Sequence, residues 1–391
     1  MSVIDLDQQY VANTYRRFPI EITHGKGSLV YDENGKEYID MGTGIAVNTF
    51  GLCDPVWTSA VSLQMKKFQH TSNLYYTRPC AELAKMLCER TGMKKVFFGN
   101  SGAEANECAI KTARKYAKEK KGEEYYQIIT LSGSFHGRTV TTLAATGQEV
   151  FHKDILPLTE GFLYATPNDL EGLASLVKEN KVAAILFEPV QGEGGVMPLE
   201  PDFVTGMARL AEENDLLLIA DEVQIGNGRS GQLYGYMHYG VTPDIVTTAK
   251  GLGGGLPIGA CLFGEKCEFT LGFGDHGSTF GGNPIACAGA ISIIERLTDK
   301  MLKGVCERSE YIFGALKGAE GIKSVSGLGL MIGVECERPA AEIVADCRKA
   351  GVLVLTAKTK VRLLPALNIP MDQLKRAIDV LLTACAKKEK V

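Results

Sequence analysis

LLLIADEVQIGNGRSGQLYGYMHYGVTPDIVTTAKGLGGGL, Leu216 to Leu256, is the stretch on which the reading of the whole chain turns. It opens on an apolar run, Leu216-Leu217-Leu218-Ile219-Ala220, too short to span a bilayer and long enough for a strand buried on both faces. A carboxylate, Asp221, follows at once. A second β-rich run, Asp244-Ile245-Val246-Thr247-Thr248, leads into Lys250, and glycines then crowd in at Gly251, Gly253, Gly254 and Gly255. In a parallel sheet such strand ends open into one crevice, where ligands bind. The stretch therefore predicts an acid and an amine sharing one pocket.

Pyridoxal phosphate chemistry needs such a pair. A lysine amine forms a Schiff base with the cofactor's aldehyde, and a carboxylate beside the pyridine nitrogen keeps it protonated, so that the ring accepts the electrons of a substrate carbanion. Taken alone, the pattern leaves a plainer alternative open. An Asp that ends a strand is commonly a cap or turn residue, and a Lys before glycines is commonly solvated.

The wording of the stretch is more specific than its pattern. Asp221-Glu222-Val223-Gln224, the Gly-x-Gly-Arg-x-Gly run of Gly226 to Gly231, and Thr247-Thr248-Ala249-Lys250-Gly251-Leu252 resemble the signature of class III, omega-type, pyridoxal-phosphate aminotransferases. Within that class the likeness is to members acting on acetylornithine, and it covers nearly the whole chain. The resemblance implies Lys250 as the Schiff-base lysine and Asp221 on the pyridine nitrogen. It also implies Glu222 among the cofactor contacts, Val223 packed against the ring and Gln224 near the phenolic oxygen.

Bulk properties bound the rest. At 391 residues the chain suits two domains with ample material for a core. With 45% hydrophobic and 23% charged residues and a net charge of -4, it reads as a soluble globular protein without the electrostatic footprint for nucleic acid or an anionic membrane. The Met1 to Ile20 segment, with Asp5 and Asp7 and no apolar core, reads as neither a secretory signal nor a transit peptide, and no apolar run approaches membrane-spanning length. Eleven Cys without C-x-x-C spacing read as reduced thiols, so a cytoplasmic protein is expected. Six His show no ligand spacing, so no metal is expected.

In chain order, Leu29-Val30-Tyr31 and Tyr38-Ile39-Asp40 flank Asn34-Gly35, a strong hairpin signal. Strand Val96-Phe97-Phe98 meets Gly99-Asn100-Ser101-Gly102-Ala103-Glu104, where a helix begins: Ser101 with Glu104 fits a capping box, and Ala105, Ala109, Ala113 and Ala117 form a small-residue stripe suited to close packing on a sheet. Glycines and bare N–H groups at a helix N-terminus make an anion site, although a plain capped helix carries the same letters. Gln127-Ile128-Ile129-Thr130-Leu131 leads to Gly133-Ser134-Phe135-His136-Gly137-Arg138-Thr139. Val182 to Phe187 ends at Glu188-Pro189, followed by Gln191-Gly192-Glu193-Gly194-Gly195. From about residue 291 the texture becomes a helix, a strand Leu330 to Cys336, a helix Ala340 to Gly351, paired strands around Val352-Leu353-Val354 and Val361-Arg362-Leu363, and a helix after Pro370.

This alternation predicts an α/β fold. The resemblance makes it the fold-type I architecture of pyridoxal-phosphate transferases: a large domain over 46–290 with a mostly parallel central sheet flanked by helices, a smaller α+β domain over 291–391, and an N-terminal segment, 1–45, packing with the small domain. It implies that Ser101, Gly102 and Ala103 hold the cofactor phosphate, Ala103 standing where many relatives have Thr, and that Phe135 stacks on the ring. Arg138 would bind a substrate carboxylate, Tyr15 would reach the same group, and Ser278 would lie near the substrate. Thr279 would hold the phosphate of the partner subunit, which implies a homodimer with shared sites. Arg362 matches an arginine masked by Glu193 while the amino donor is bound. One departure stands out: where the family has Gly-His-x-His-Pro, this chain has Gly51-Leu52-Cys53-Asp54-Pro55.

The implied activity is transamination between N2-acetyl-L-ornithine and 2-oxoglutarate, giving N-acetyl-L-glutamate 5-semialdehyde and L-glutamate. Ornithine, lysine, 4-aminobutyrate or succinyl-diaminopimelate as donor, or an aminomutase or racemase, are sister chemistries. A noncatalytic anion-binding scaffold is the reading from another class, and Asp221, Lys250, Phe135, Arg138 and the Ser101 turn occurring together argue against it.

Overall fold

Strands that are apolar along their whole length belong in the middle of a sheet covered on both faces. Val182–Phe187, Leu217–Asp221 and Ile245–Thr248 are such strands, buried from end to end. In the computed structural model, which describes residues 1–387, they lie side by side in a seven-stranded sheet. Its order is Lys95–Gly99, Gly259–Phe263, Ile245–Thr248, Leu217–Asp221, Val182–Phe187, Gln127–Leu131, Phe162–Ala165. Leu217 pairs with Ala184 and Ile219 with Ile245, both in parallel. Gly259–Phe263 runs antiparallel to both its neighbours, and the other pairings are parallel.

Alternate residues of these strands feed two apolar layers. Ile128, Ala184, Leu186, Leu217, Ile219 and Ile245 meet the helix Gly102–Lys121 on one face. Ile129, Ile185, Phe187, Leu218, Ala220 and Val246 join a larger core on the other, which includes residues of the helices Pro201–Glu213 and Pro284–Ile294. The alanine stripe does what its size allows. Ala105, Ala109, Ala113 and Ala117 are all buried, so the helix lies close on the sheet with its N-terminus at the strands' carboxyl ends.

The C-terminal part carries an antiparallel sheet ordered Ile322–Leu328, Met331–Cys336, Lys360–Leu363, Leu355–Ala357, packed with the helices Asp299–Leu316, Ala340–Lys349 and Met371–Ala386. At the other end, Ile22–Lys26, Leu29–Asp32 and Glu37–Asp40 form an antiparallel meander, and the Asn34-Gly35 turn places Gly35 at φ +76. Val352–Leu353 does not pair with Val361–Leu363 as the sequence led us to expect. It adds in parallel to Glu37–Asp40, matching Val352 with Ile39, and the following Leu355–Ala357 takes the place beside Lys360–Leu363. Ile322–Leu328 escaped the sequence reading because it is a half-exposed edge strand, IKSVSGL, without apolar alternation.

Several large apolar side chains stand in solvent, among them Leu74, Tyr75, Tyr76, Phe273 and Phe280, and the helix Val3–Tyr10 buries none of its residues. Among the described residues, no helix is long and apolar enough to cross a membrane.

Candidate active site

Asp221 ends its strand at the sheet's carboxyl edge, and Lys250 follows the neighbouring strand Ile245–Thr248 by two residues. Both open into one cavity of about 580 Å³, whose walls also include Ser101, Gly102, Ala103, Phe135, Arg138 and Val223. The acid and the amine do share a pocket.

Asp221 is 3% exposed, and burial of a carboxylate is tolerable only when its oxygens are satisfied. Its Oδ2 accepts hydrogen bonds from Asn106 Nδ2 and His136 Nδ1, each at 2.8 Å, and its Oδ1 accepts from the Val223 N–H at 3.0 Å. Asn106 is itself locked, donating to the His136 carbonyl at 2.8 Å and accepting from Thr247 Oγ1 at 2.6 Å. His136 Nε2 is buried with no partner among the described residues.

Lys250 holds a left-handed backbone, φ +42, that L-residues seldom adopt outside functional sites. The neighbouring chain holds it there. Asn227 donates through Nδ2 to Thr248 Oγ1 at 2.8 Å and to the Ala249 carbonyl at 3.2 Å. Burial draws the Lys250 ammonium below its ordinary pKa. The negative charge of Glu193 opposes that fall, and Arg362 adds to it.

At the helix start, Ser101 Oγ accepts from the Glu104 N–H at 3.2 Å and the Ser101 carbonyl from the Ala105 N–H. The N–H groups of Gly102 and Ala103, first and second in the helix, have no intrahelical acceptor, and both residues line the cavity. The capping box is only half made: the Glu104 carboxylate turns to the N–H and Nδ2 of Asn100 instead of Ser101. Gly102 is there for closeness, since a Cβ on it would stand 2.7 Å from Val223 Cγ1.

The other expected residues divide. Phe135 lines the cavity, its ring edge-on to Phe151 at 5.8 Å, and Arg138 lies exposed with its guanidinium 4.2 Å from the Phe151 ring, forming no ion pair among the described residues. Tyr15 sits at the mouth, largely exposed. Ser278 is outside the wall but touches it, its Oγ accepting from Asn100 Nδ2 at 2.9 Å, while Thr279 is exposed and away from this chain's own cavity. Gln224 lines the cavity and accepts from Arg362 Nη1 at 3.0 Å, and the same Nη1 meets Glu193 Oε1 at 2.6 Å. Burial pushes the Glu193 carboxyl up, and the Arg362 charge and hydrogen bond overcome it, leaving its pKa lowered.

Glu222, expected among the cofactor contacts, is not among the residues of the cavity wall. Its carboxylate is fully buried and accepts the N–H groups of Gly235 and Tyr236, each at 2.7 Å, which ties down the loop beyond the strand. Among the wall residues that carried no assignment in the sequence are Asn106, His136 and Glu188. Glu188 carried the same signal as Asp221, a carboxylate ending a buried apolar strand. Asn106 carried none, being one polar letter in a helix.

A ligand with an anionic tail, a flat ring and a basic ring nitrogen fits this set of groups in one cavity: N–H donors at a helix start, a buried carboxylate, the apolar Phe135 and Val223, and a lysine whose burial favours its free amine. Fold and site together define a pyridoxal-phosphate enzyme of fold-type I. More narrowly, the chain belongs to the class-III aminotransferases, whose family model matches residues 10–385. It is 49% identical over 378 residues to the acetylornithine aminotransferase of Haemophilus ducreyi, covering 96% of each chain. It is 43% identical to the succinylornithine transaminase of Citrobacter koseri, covering 97% of this chain and 96% of that one. Its structure matches the crystal structure of the ornithine aminotransferase from Toxoplasma gondii with a TM-score of 0.93 at 30% identity, covering 98% of this chain and 94% of that one.

Proposed function

We propose that this protein transfers the terminal amino group of N2-acetyl-L-ornithine to 2-oxoglutarate, giving N-acetyl-L-glutamate 5-semialdehyde and L-glutamate in arginine biosynthesis. Bound pyridoxal phosphate supplies an electrophilic carbon and an electron-accepting ring. Gly102 and Ala103 N–H groups and Ser101 would hold its phosphate, Phe135 and Val223 would pack on its ring, Gln224 would serve its phenolic oxygen, and Asp221 would hold the proton of its ring nitrogen. Lys250 Nζ would carry the covalent attachment and supply the amine that takes the proton from the reacting carbon and returns it to its new position; burial lowers the pKa of this amine, which favours its free-base form.

The observation that carries the substrate class is the unequal state of two arginines. Among the described residues Arg138 has no acidic partner, and it lines the cavity, whereas Arg362 is covered by Glu193. A donor whose reacting carbon is a terminal CH2 needs one carboxylate site at a distance and no bare cation beside the reaction. That describes an N-acylated α,ω-diamino acid, with Arg138 on its α-carboxylate and Tyr15 and Ser278 nearby. When 2-oxoglutarate follows, Arg138 takes its γ-carboxylate and Glu193 yields Arg362 to the α-carboxylate.

N2-succinylornithine is the second reading, favoured by the likeness to the Citrobacter koseri enzyme: a carboxylate grip on the α-carbon leaves the acyl group unspecified. Spectral half-reactions with acetylornithine, succinylornithine, ornithine, lysine and 4-aminobutyrate decide among the donors. We expect the two acyl donors to be fastest, and faster reaction of free ornithine or 4-aminobutyrate overturns the assignment.

We also propose a homodimer, with Thr279 completing the partner's phosphate site and the exposed Leu74, Tyr75, Tyr76, Phe273 and Phe280 covered between subunits. The working division is 1–45, 46–290 and 291–391, and the compartment the cytoplasm, in keeping with cysteines that are all free.

A further inference from the structure

Glu188 lies in the cavity wall, 5% exposed, at the end of Val182–Phe187, and the chemistry above gives it no task. Its two carboxylate oxygens serve different segments. Oε2 accepts the N–H of Phe135 at 2.9 Å, and Oε1 accepts the N–H of Gly192 at 3.3 Å. Phe135 is the residue that faces the ring, and Gly192 immediately precedes Glu193, in the turn between Val190–Gln191 and Met197–Pro198. Among the described residues, no other side chain in the wall bonds to both segments.

We propose that Glu188 is a positioning residue that ties the ring-facing loop to the Glu193 turn, and so helps hold Glu193 over Arg362 during the donor half-reaction. Within the turn the N–H groups of Gly195 and Val196 donate to the Gly192 carbonyl at 3.4 and 3.3 Å, and Gln191 Nε2 ties its start to the Ser132 carbonyl at 3.0 Å, while the Gly192 N–H itself is held by Glu188. Glu193 stands among Gly192, Gly194 and Gly195, and a Cβ at Gly192 would meet the Gln224 side chain at 2.5 Å, so the turn must lie against Gln224 at a fixed height. Release of the Gly192 N–H lets it rise and carries Glu193 away from Arg362. Burial pushes the Glu188 carboxyl up to about 7, with His136 lowering and Asp221 raising it, so its two N–H bonds balance a strong cost of desolvation. The side chain must therefore accept from both partners to be tolerated there.

Glu188→Gln tests this. Its amide oxygen serves one N–H group, while its NH2 confronts the other, leaving a buried donor unsatisfied. The control is Glu222→Gln, which perturbs an equally buried carboxylate bonded to the Gly235 and Tyr236 N–H groups away from the cavity. Since the proposal rests on the aminotransferase reading, the first measurement avoids turnover: amide hydrogen exchange of the cofactor-free protein, followed in peptides spanning 133–138 and 189–196. Glu188→Gln should quicken exchange in at least one of them by roughly ten-fold, whereas Glu222→Gln should leave both unchanged. In the cofactor-loaded enzyme, Glu188→Gln should lower the ratio of the acetylornithine to the glutamate half-reaction rate by roughly ten-fold, and Glu222→Gln should not move that ratio. A fall in Tm with unchanged exchange in both peptides and an unchanged ratio reduces Glu188 to a structural residue and overturns the proposal. If the wild type performs neither half-reaction, the aminotransferase reading fails, while the exchange result still decides whether Glu188 couples the two segments.

Discussion

Glu193 Oε1 stands 2.6 Å from Arg362 Nη1, and the two partners are unequally held: the Arg362 side chain is 4% exposed and that of Glu193 30%. Arg362 lies in Lys360–Leu363, paired with Gly333 on one side and Leu355 on the other. Glu193 lies in a glycine-flanked turn, with Gly195 at φ +109. The arginine is fixed by burial and by its ladder. If one partner withdraws, it is the glutamate.

This asymmetry gives opposite expectations for the two truncations. Glu193→Ala should slow the acetylornithine half-reaction more than the glutamate half-reaction, because an uncovered cation then faces a CH2 group. Arg362→Ala should do the reverse, since the α-carboxylate of glutamate loses its partner. Breaking a fully buried pair costs about 3–5 kcal/mol, and the partial exposure of Glu193 reduces this, so we expect selective losses of roughly 10- to 100-fold. Single-turnover absorbance traces, run separately for each half, decide it. Equal losses in both halves for both variants would falsify the switch and leave the family assignment standing.

Asp221→Asn should keep the fold and bind cofactor, yet lose turnover by on the order of 10²-fold or more. The amide is the same size but cannot hold a ring-nitrogen proton by charge, and its NH2 faces either the Val223 N–H or the donors Asn106 and His136. Turnover near wild type, measured alongside cofactor stoichiometry, would return Asp221 to a purely structural role.

The site was legible where a residue type was forced by its place in the chain. A carboxylate ending a fully apolar strand, a lysine before glycines and a glycine at a helix start each have few physical reasons to exist, and Asp221, Lys250 and Gly102 meet in one cavity. Asn106 was not legible because its partners, Asp221 and Thr247, lie 115 and 141 residues away. Glu222 adjoins a wall carboxylate without lining the wall itself: successive side chains on an extended chain point to opposite sides, and its carboxylate is taken up by the Gly235 and Tyr236 N–H groups. In the fold, the buried strands announced themselves by composition. Val352–Leu353 did not reveal its partner, because two apolar residues fit either neighbouring sheet and only tertiary packing selects Glu37–Asp40.

Gly102→Ala probes the phosphate end. The added Cβ would approach Val223 Cγ1 to 2.7 Å and Cγ2 to 2.9 Å, and valine is short and stiff, so either the helix start or the ring-facing side chain must move. We expect a loss of about 1–3 kcal/mol in the stability of the cofactor-free protein and a weaker hold on cofactor, read by dialysis against phosphate buffer. Helix-start strain alone predicts the stability loss without the cofactor loss, so unchanged retention would place Gly102 outside the binding cradle.

The last expectation concerns what Lys250 does to the protein that carries it. Burial lowers its pKa from the ordinary lysine value of 10.5, which means the folded chain holds that proton less tightly than the unfolded chain. Between the folded pKa and 10.5 the unfolded state binds more protons, so stability rises with pH across that window. Below it, the full cost of burying the ammonium remains. Lys250→Met removes the charge and keeps an unbranched side chain at the same φ of +42, so backbone strain is little changed between the two proteins. The cofactor-free Lys250→Met variant should therefore be more stable than cofactor-free wild type at pH 7. Its advantage should shrink as the pH approaches 10.5, by at most about 1.4 kcal/mol per pH unit. Denaturant unfolding of both proteins at pH 7, 8.5 and 10 measures the gap directly. A gap that stays constant would mean that Lys250 keeps its proton in the fold throughout that range, as well solvated there as in the unfolded chain. A gap of opposite sign would mean that Glu193 and Asp221 more than offset the cost of burial, and that the free amine needed for proton transfer is not prepared in advance by the fold.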